Sequence, residues 1–304
     1  MIMQAQAPRA VVMIRPHHFR SNPETQADNA FQRASVGDVA EAARAEFDHV
    51  VTALRGVGIT VHDFDDTGTE TPDSVFPNNW FSTHAGGHVA VYPMYAANRR
   101  RERRWDVIDL LKTRYRVQDV IDYSGLEHDD LALEGTGAMV LDHIGRVAYV
   151  ARSHRADPIL LERFCTNFNF EPIAFDAHDA QGRPVYHTNV LMAVGTKVAL
   201  VGLDLISDSK RRKMVRDRLA ETGRDVIALT AHQIDEFAGN AIELDGNDGL
   251  IMAISARALA ALDPDQVARI ETHARILPLT IPTIETAGGS VRCMIAGLHL
   301  ARRN

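Results

Sequence analysis

The sequence predicts an α/β protein built from five repeats of ββα type, arranged with pseudo-symmetry as a five-bladed α/β-propeller. Three observations carry this prediction. Strand-pair segments of one form recur along the chain, their polar landmarks are evenly spaced, and an amphipathic helical pattern fills the gaps between them. With 304 residues the chain is long enough to bury a large core, and we read residues 1–304 as a single domain.

The elements follow in chain order. Ala10 to Ile14 is an apolar strand expected to complete the last strand pair, so that the two chain ends share one blade and remove a free sheet edge. From Ser35 to Val57, apolar residues including Val39, Ala43, Phe47, Val50 and Leu54 recur every three to four positions, a helical rhythm. The first strand pair, VFPNNWFSTHAGGHVAVYP, begins at Val75. A helix over Arg103 to Tyr115 comes next, and the basic run Arg99-Arg100-Arg101 reads as its solvated start rather than as an RNA site. The second pair begins at Leu133 (LEGTGAMVLDHIGRVAYVARS), and Asp157-Pro158 then opens a helix with a cap residue and a first-turn proline. The third pair begins at Val185 (VYHTNVLMAVGTKVALVGL), ahead of a basic helix from Ser207. The fourth begins at Phe237 (FAGNAIELDGNDGLIMAISA), and Asp263-Pro264 repeats the helix start. SVRCMIAGLHL from Ser290 ends the series.

The polar landmarks are Asn79, Glu134, His187, Asn240 and Cys293. The last four follow one another at intervals of 53 residues, and Asn79 precedes Glu134 by 55. In a radial repeat, equivalent positions converge on the axis, so a glutamate, a histidine and a cysteine are expected to meet in one pocket. A thiol becomes a useful nucleophile beside an imidazole. His187 is the natural acid for an amine leaving group and then the base for water. Glu134 orients His187 or binds substrate nitrogens, and Gly135-Thr136-Gly137 leaves room for a ligand. Gly288 and Gly289 are expected to bring backbone close to that ligand. Cys165, between Phe164 and Phe168, reads as core.

Composition removes other classes. A net charge of −7 argues against a nucleic-acid partner. Two cysteines make no disulfide framework and have no metal-type spacing, and chemistry carried by a cysteine and a histidine requires neither a metal nor an organic cofactor, so none is expected. The opening residues carry no signal pattern and no run reaches membrane-spanning length, which makes the cytoplasm the expected location.

The order Glu134-Gly135, then His187-x-Asn189, then Gly288-Gly289-Ser290-x-x-Cys293 resembles the guanidino-group-modifying (pentein) superfamily of arginine deiminases, dimethylarginine hydrolases and glycine amidinotransferases. The resemblance runs from Phe76 to Leu300. It implies a five-bladed propeller with Cys293 as nucleophile, His187 as acid and base, and Glu134 as its acidic partner. Ser153-His154-Arg155 is similar to the segment whose arginine holds the substrate α-carboxylate, for which a guanidinium fork is suited. Where deiminases of the superfamily present aspartates, this chain has Asn79, preceded by Asn78, and Asn189. An amide gives a cationic guanidinium no opposing charge, whereas a neutral ureido group matches its donors and acceptors.

The expected substrate is therefore citrulline, cleaved to ornithine, ammonia and carbon dioxide as in the citrulline ureidases that this chain resembles. Asp65, Asp66, Asp73, Asp129 and Asp130 remain as loop acids able to restore a negative charge. The alternatives are a deiminase or dimethylaminohydrolase forming citrulline from arginine or a methylated arginine, an amidinotransferase, and a non-catalytic binding propeller. Asn240 stands between substrate contact and structural turn. The expected partner is a small amino acid, and the oligomeric state stays open, a homo-oligomer included.

Overall fold

A computed structural model describes residues 5–33 and 37–303, so the expected helix start at Ser35 lies outside the described residues. Strand β1 (Ala10–Pro16) leads through helix α1 (Ala40–Gly56) to the parallel strand β2 (Thr60–Asp66), with Ala10 opposite Thr60. The hairpin of β3 (Phe81–His84) and β4 (His88–Val91) is followed by α2 (Trp105–Arg114) and β5 (Asp119–Asp122). A single helical turn, α3 (Gly135–Ala138), precedes β6 (Met139–Asp142), β7 (Val147–Ala151), α4 (Pro158–Phe168) and β8 (Glu171–Phe175). The same order repeats with α5 (Thr188–Leu191), β9 (Met192–Val194), β10 (Val198–Val201), α6 (Ser209–Ala220) and β11 (Asp225–Ala228). It repeats again with α7 (Ala231–Asp235), β12 (Ile242–Gly246), β13 (Gly249–Ser255), the pair α8 (Ala256–Ala261) and α9 (Pro264–Glu271), and β14 (Arg275–Leu279). One last turn, α10 (Val291–Met294), enters β15 (Ala296–Gly297).

The described residues form five three-stranded sheets, one per repeat. In four of them an antiparallel hairpin is extended by a parallel strand that returns after the helix, the connection a parallel neighbour requires. The fifth has the order β15-β1-β2, so the chain ends meet in one sheet as expected. The repeat is thus ββαβ rather than ββα. The third strands escaped the pattern because they are short, half exposed and marked by Asp or Pro, as in DVID and EPIAF.

The helix starts follow their caps. Asp157 accepts hydrogen bonds from Ile159 and Leu160, and Asp263 with Gln266 forms a capping box. The basic helix begins two residues later than expected, behind Asp208. Apolar stripes of the helices close each sheet. Leu160, Leu161, Phe164 and Phe168 of α4 pack with Phe170, Met139 and Tyr92, each buried ring contributing roughly 1.5–3 kcal/mol. Cys165 belongs to this cluster, and burial pushes its thiol up to about 12. His84 and His88 stand four apart, but across a hairpin turn: His84 is buried against Phe168 while His88 pairs with Asp119. Among the described residues no group of His, Cys, Asp or Glu could hold a metal ion, and no helix is long and apolar enough to cross a membrane.

Candidate active site

Each landmark sits in the turn that feeds its hairpin. Asn78 and Asn79 lie in a 3-10 turn over Pro77–Asn79, Glu134 and His187 are the residues before α3 and α5, and Cys293 lies inside α10. All five landmarks are buried, at 2% exposure or less. The turns approach so closely that side chains would collide. Gly135 has φ +46°, and a Cβ there would lie 2.5 Å from the Asn78 carbonyl oxygen. A Cβ on Gly137 would lie 2.1 Å from Asn79 Oδ1 and 2.8 Å from the His187 ring. These glycines therefore admit neighbouring protein groups rather than the ligand that the sequence suggested.

The His187 Nε2 atom lies 2.8 Å from Glu134 Oε2. Burial raises the Glu134 carboxyl, but Arg155, His187 and Arg99 outweigh it and hold the group well below the usual carboxylate range. Burial also drives His187 down to about 4, against the pull of Glu134, so its ring is neutral near pH 7. With Nε2 committed to Glu134, Nδ1 remains for proton exchange.

Cys293 is held by amides. Its Sγ lies 3.3 Å from Asn189 Nδ2 and 3.3 Å from Asn240 Nδ2. The orientation of Asn240 is fixed by backbone, because its Nδ2 also donates to the Asn189 carbonyl at 2.9 Å and its Oδ1 accepts from the Arg292 N–H at 3.0 Å. Asn240 therefore ties two landmark turns together and aims a donor at sulfur. His187 and Asn189 stand two residues apart at the start of α5, so one turn of backbone joins the Glu134–His187 pair to the amides on Cys293. Among the described residues the buried Asn189 Oδ1 and Asn78 Nδ2 have no hydrogen-bond partner, which leaves them for polar atoms of a ligand.

The surroundings are charged. Arg155 is buried, forks onto Asp28 at 2.9 and 2.5 Å, lies 3.5 Å from Glu134 and covers the Tyr186 ring. Ser153 donates to the Tyr186 carbonyl at 2.8 Å and so fixes the Arg155 hairpin beside His187. Arg99 corrects the sequence reading: it is 2% exposed, not a solvated helix start. It pairs bidentately with Glu102 at 2.9 and 2.8 Å and lies 3.5 Å from Glu134 and 3.8 Å from Asp73. With its amide turned to suit its neighbours, Asn79 accepts from Arg99 at 3.1 Å and donates to Asn78.

Of the loop acids named from sequence, only Asp73 enters this network. It is buried, accepts from Asn22 at 2.8 Å, and leaves Oδ1 without a hydrogen-bond partner among the described residues. Asp65 instead pairs with Arg15 and His17, and Asp66 accepts from Thr71. Asp129 and Asp130 are exposed. Nothing in the local pattern separated Arg99 from its four basic neighbours. Asp28 was hidden for the same reason, and nothing singled out Asp73 among the five loop acids, since only the fold brings their loops to the landmarks.

The comparisons agree with this architecture. Against the N-terminal domain of ArgZ, an arginine dihydrolase of cyanobacteria, solved with substrate, the TM-score is 0.74 at 16% identity, covering 96% of this chain and 99% of that one. An AgrE variant in complex with L-arginine superposes with a TM-score of 0.74 at 17% identity over 95% of this chain, which spans 40% of that protein. DDAH from Pseudomonas aeruginosa, complexed with citrulline, gives a TM-score of 0.65 at 13% identity, covering 96% and 99%. A search of curated proteins finds no match. A family model described as N,N dimethylarginine dimethylhydrolase, eukaryotic, matches residues 15–300, and the chain therefore belongs to that family, within the pentein guanidino-modifying superfamily.

Proposed function

We propose that the protein is a cysteine hydrolase of C–N bonds that cleaves the ureido group of citrulline, in a single domain over residues 1–304 whose five sheets close as a propeller in the cytoplasm. The observation that carries the reading is the buried constellation in which two amide donors point at the Cys293 sulfur while Glu134 holds His187. A sulfur anion is supported by N–H donors, and a neutral imidazole with a free Nδ1 is ready to take the thiol proton.

In the proposed mechanism His187 takes that proton by way of substrate or a water, and Cys293 attacks the ureido carbon. The tetrahedral intermediate collapses as His187 protonates the departing nitrogen, leaving a thiocarbamate on sulfur. Water deprotonated by His187 then releases the adduct, and the sum of one citrulline and one water is ornithine, ammonia and carbon dioxide. Arg155 takes the α-carboxylate, while Asn78, Asn79, Asn189 and Asn240 line the head-group end. Neutral amides at that end favour a neutral ureido group, because a buried guanidinium needs an opposing charge.

Asp73 favours a second reading. Its unpartnered Oδ1 offers that charge close to Asn79 and Arg99, which suits arginine or a methylated arginine as in a deiminase or dimethylaminohydrolase. The AgrE variant solved with L-arginine and the DDAH solved with citrulline are neighbours of the fold on which this second reading also draws. The test supplies citrulline, arginine and dimethylarginine separately to purified protein. Ornithine and ammonia from citrulline, with arginine untouched, are expected. Citrulline accumulating from arginine or dimethylarginine overturns the ureido reading in favour of the second.

A further inference from the structure

The segment of residues 17–33 lies across the site as a strap, and its contacts are specific. Asn22 donates to Asp73 at 2.8 Å, Asn29 Nδ2 reaches the Ala287 carbonyl ahead of the Cys293 turn, and Phe31 packs on Tyr186 and Phe237. Between these anchors Asp28 presents its carboxylate to Arg155, with one oxygen on Nε at 2.9 Å and the other on Nη2 at 2.5 Å. That fork-to-fork geometry is the one a free amino acid's carboxylate would adopt on the same guanidinium. The Arg155 side chain is 2% exposed, so one carboxylate fills the fork and a second has no room beside it. Asp28 is 21% exposed and sits on the solvent side of the pair, where a strap movement can withdraw it.

From this we infer that Asp28 is a built-in competitor for the carboxylate seat on Arg155, displaced by the substrate's α-carboxylate and then pairing with its α-ammonium group. The inference rests on the proposed role of Arg155 and adds a specificity residue to it. In the empty protein Asp28 keeps the buried guanidinium neutralised. In the loaded protein a zwitterion inserts, its negative end on Arg155 and its positive end on Asp28, so no charge is left unpaired. A ligand with a carboxylate but no α-amine must displace Asp28 and offers it nothing in return. Asp28 thereby selects free α-amino acids over simple ω-ureido acids.

The test measures binding by calorimetry in the Cys293→Ser protein, which removes turnover, with citrulline, arginine and 5-ureidopentanoate as ligands. Asp28→Asn is expected to tighten 5-ureidopentanoate by about tenfold, because a seat occupied nine-tenths of the time costs that factor in apparent affinity. The preference for citrulline over 5-ureidopentanoate is expected to shrink as well, because citrulline alone loses the partner of its α-ammonium group. Asp28→Ser serves as a second variant that does not depend on how an amide packs against Arg155. If citrulline or arginine binds but neither variant improves 5-ureidopentanoate, Asp28 merely orients Arg155 and this inference fails alone. If none of the three ligands binds the protein with Asp28 intact, the amino-acid reading of the pocket fails and carries this inference with it.

Discussion

Arg99 is buried and Arg292 half-buried, each beside landmark residues; burial disfavours both charges, yet their pKa values move in opposite directions. Burial opposes the charge of Arg99, but Glu102, Asp73 and Glu134 outweigh it and raise its pKa above the ordinary value. Arg292, next to Cys293 in the chain, lines a cavity of about 50 Å³ with Ser82, Thr136, His143, Glu243 and His299. It donates to the Ile295 carbonyl at 2.8 Å and has no carboxylate within salt-bridge distance among the described residues, and burial lowers it to about 10. The histidines there follow the same rule. His143 stacks on His299 at 3.8 Å, and burial drives His143 well below its ordinary value and His299 to about 4. The comparison separates two ways of tolerating polar groups inside a protein. Around Glu134 opposite charges are paired, while around the Arg292 side chain the groups are pushed towards neutrality.

If that division also separates chemistry from support, substitutions in the two settings must differ. The largest expected effect is at the cysteine: Cys293→Ala should lower turnover of the true substrate by about 10⁴-fold or more while the circular dichroism spectrum stays intact. Turnover surviving that change would place the chemistry elsewhere. Next in size is the stability contrast. Arg99→Met leaves buried carboxylates without their cation and should cost about 3–5 kcal/mol in urea denaturation, whereas Arg292→Met should stay within about 1.5 kcal/mol. Equal losses would show that pairing is not what distinguishes the two settings.

The smallest effect is a pH slope. His187 and His299 have folded pKa values near 4, below the unfolded value of about 6.5, so the unfolded chain binds more protons between those limits. Stability is therefore full above about pH 6.5 and falls as the pH drops towards 4, by about 1 kcal/mol per pH unit for each histidine. His299→Asn should flatten that slope in urea midpoints measured from pH 7 to 4.5. An unchanged slope would mean that His299 is not held neutral.

Much of this architecture was readable because it is written in local signals. The 53-residue interval between Glu134, His187, Asn240 and Cys293, and the Asp-Pro starts at Asp157 and Asp263, place repeats and caps without any long-range knowledge. The single helical turns at the landmarks were not readable. Gly135-Thr136-Gly137 resembles a ligand loop, and only the approach of Asn79 and His187 shows what the missing side chains make room for. Basic runs are usually solvated, and Arg99 departs from its neighbours because Glu102, three residues on, and Asp73 from another loop meet it inside.

By itself, then, the sequence determined the repeat, the apolar faces and the chemical types at equivalent positions, since periodicity and capping act over a few residues. Tertiary structure alone decided which distant polar groups are neighbours: Asp28 on Arg155, Asp73 and Glu134 around Arg99, two amides on one sulfur. The physical reason is range. Hydrophobic patterning is a property of adjacent residues, whereas electrostatic pairing depends on distances of a few ångströms between segments far apart in the chain, and those distances exist only once the sheets are assembled.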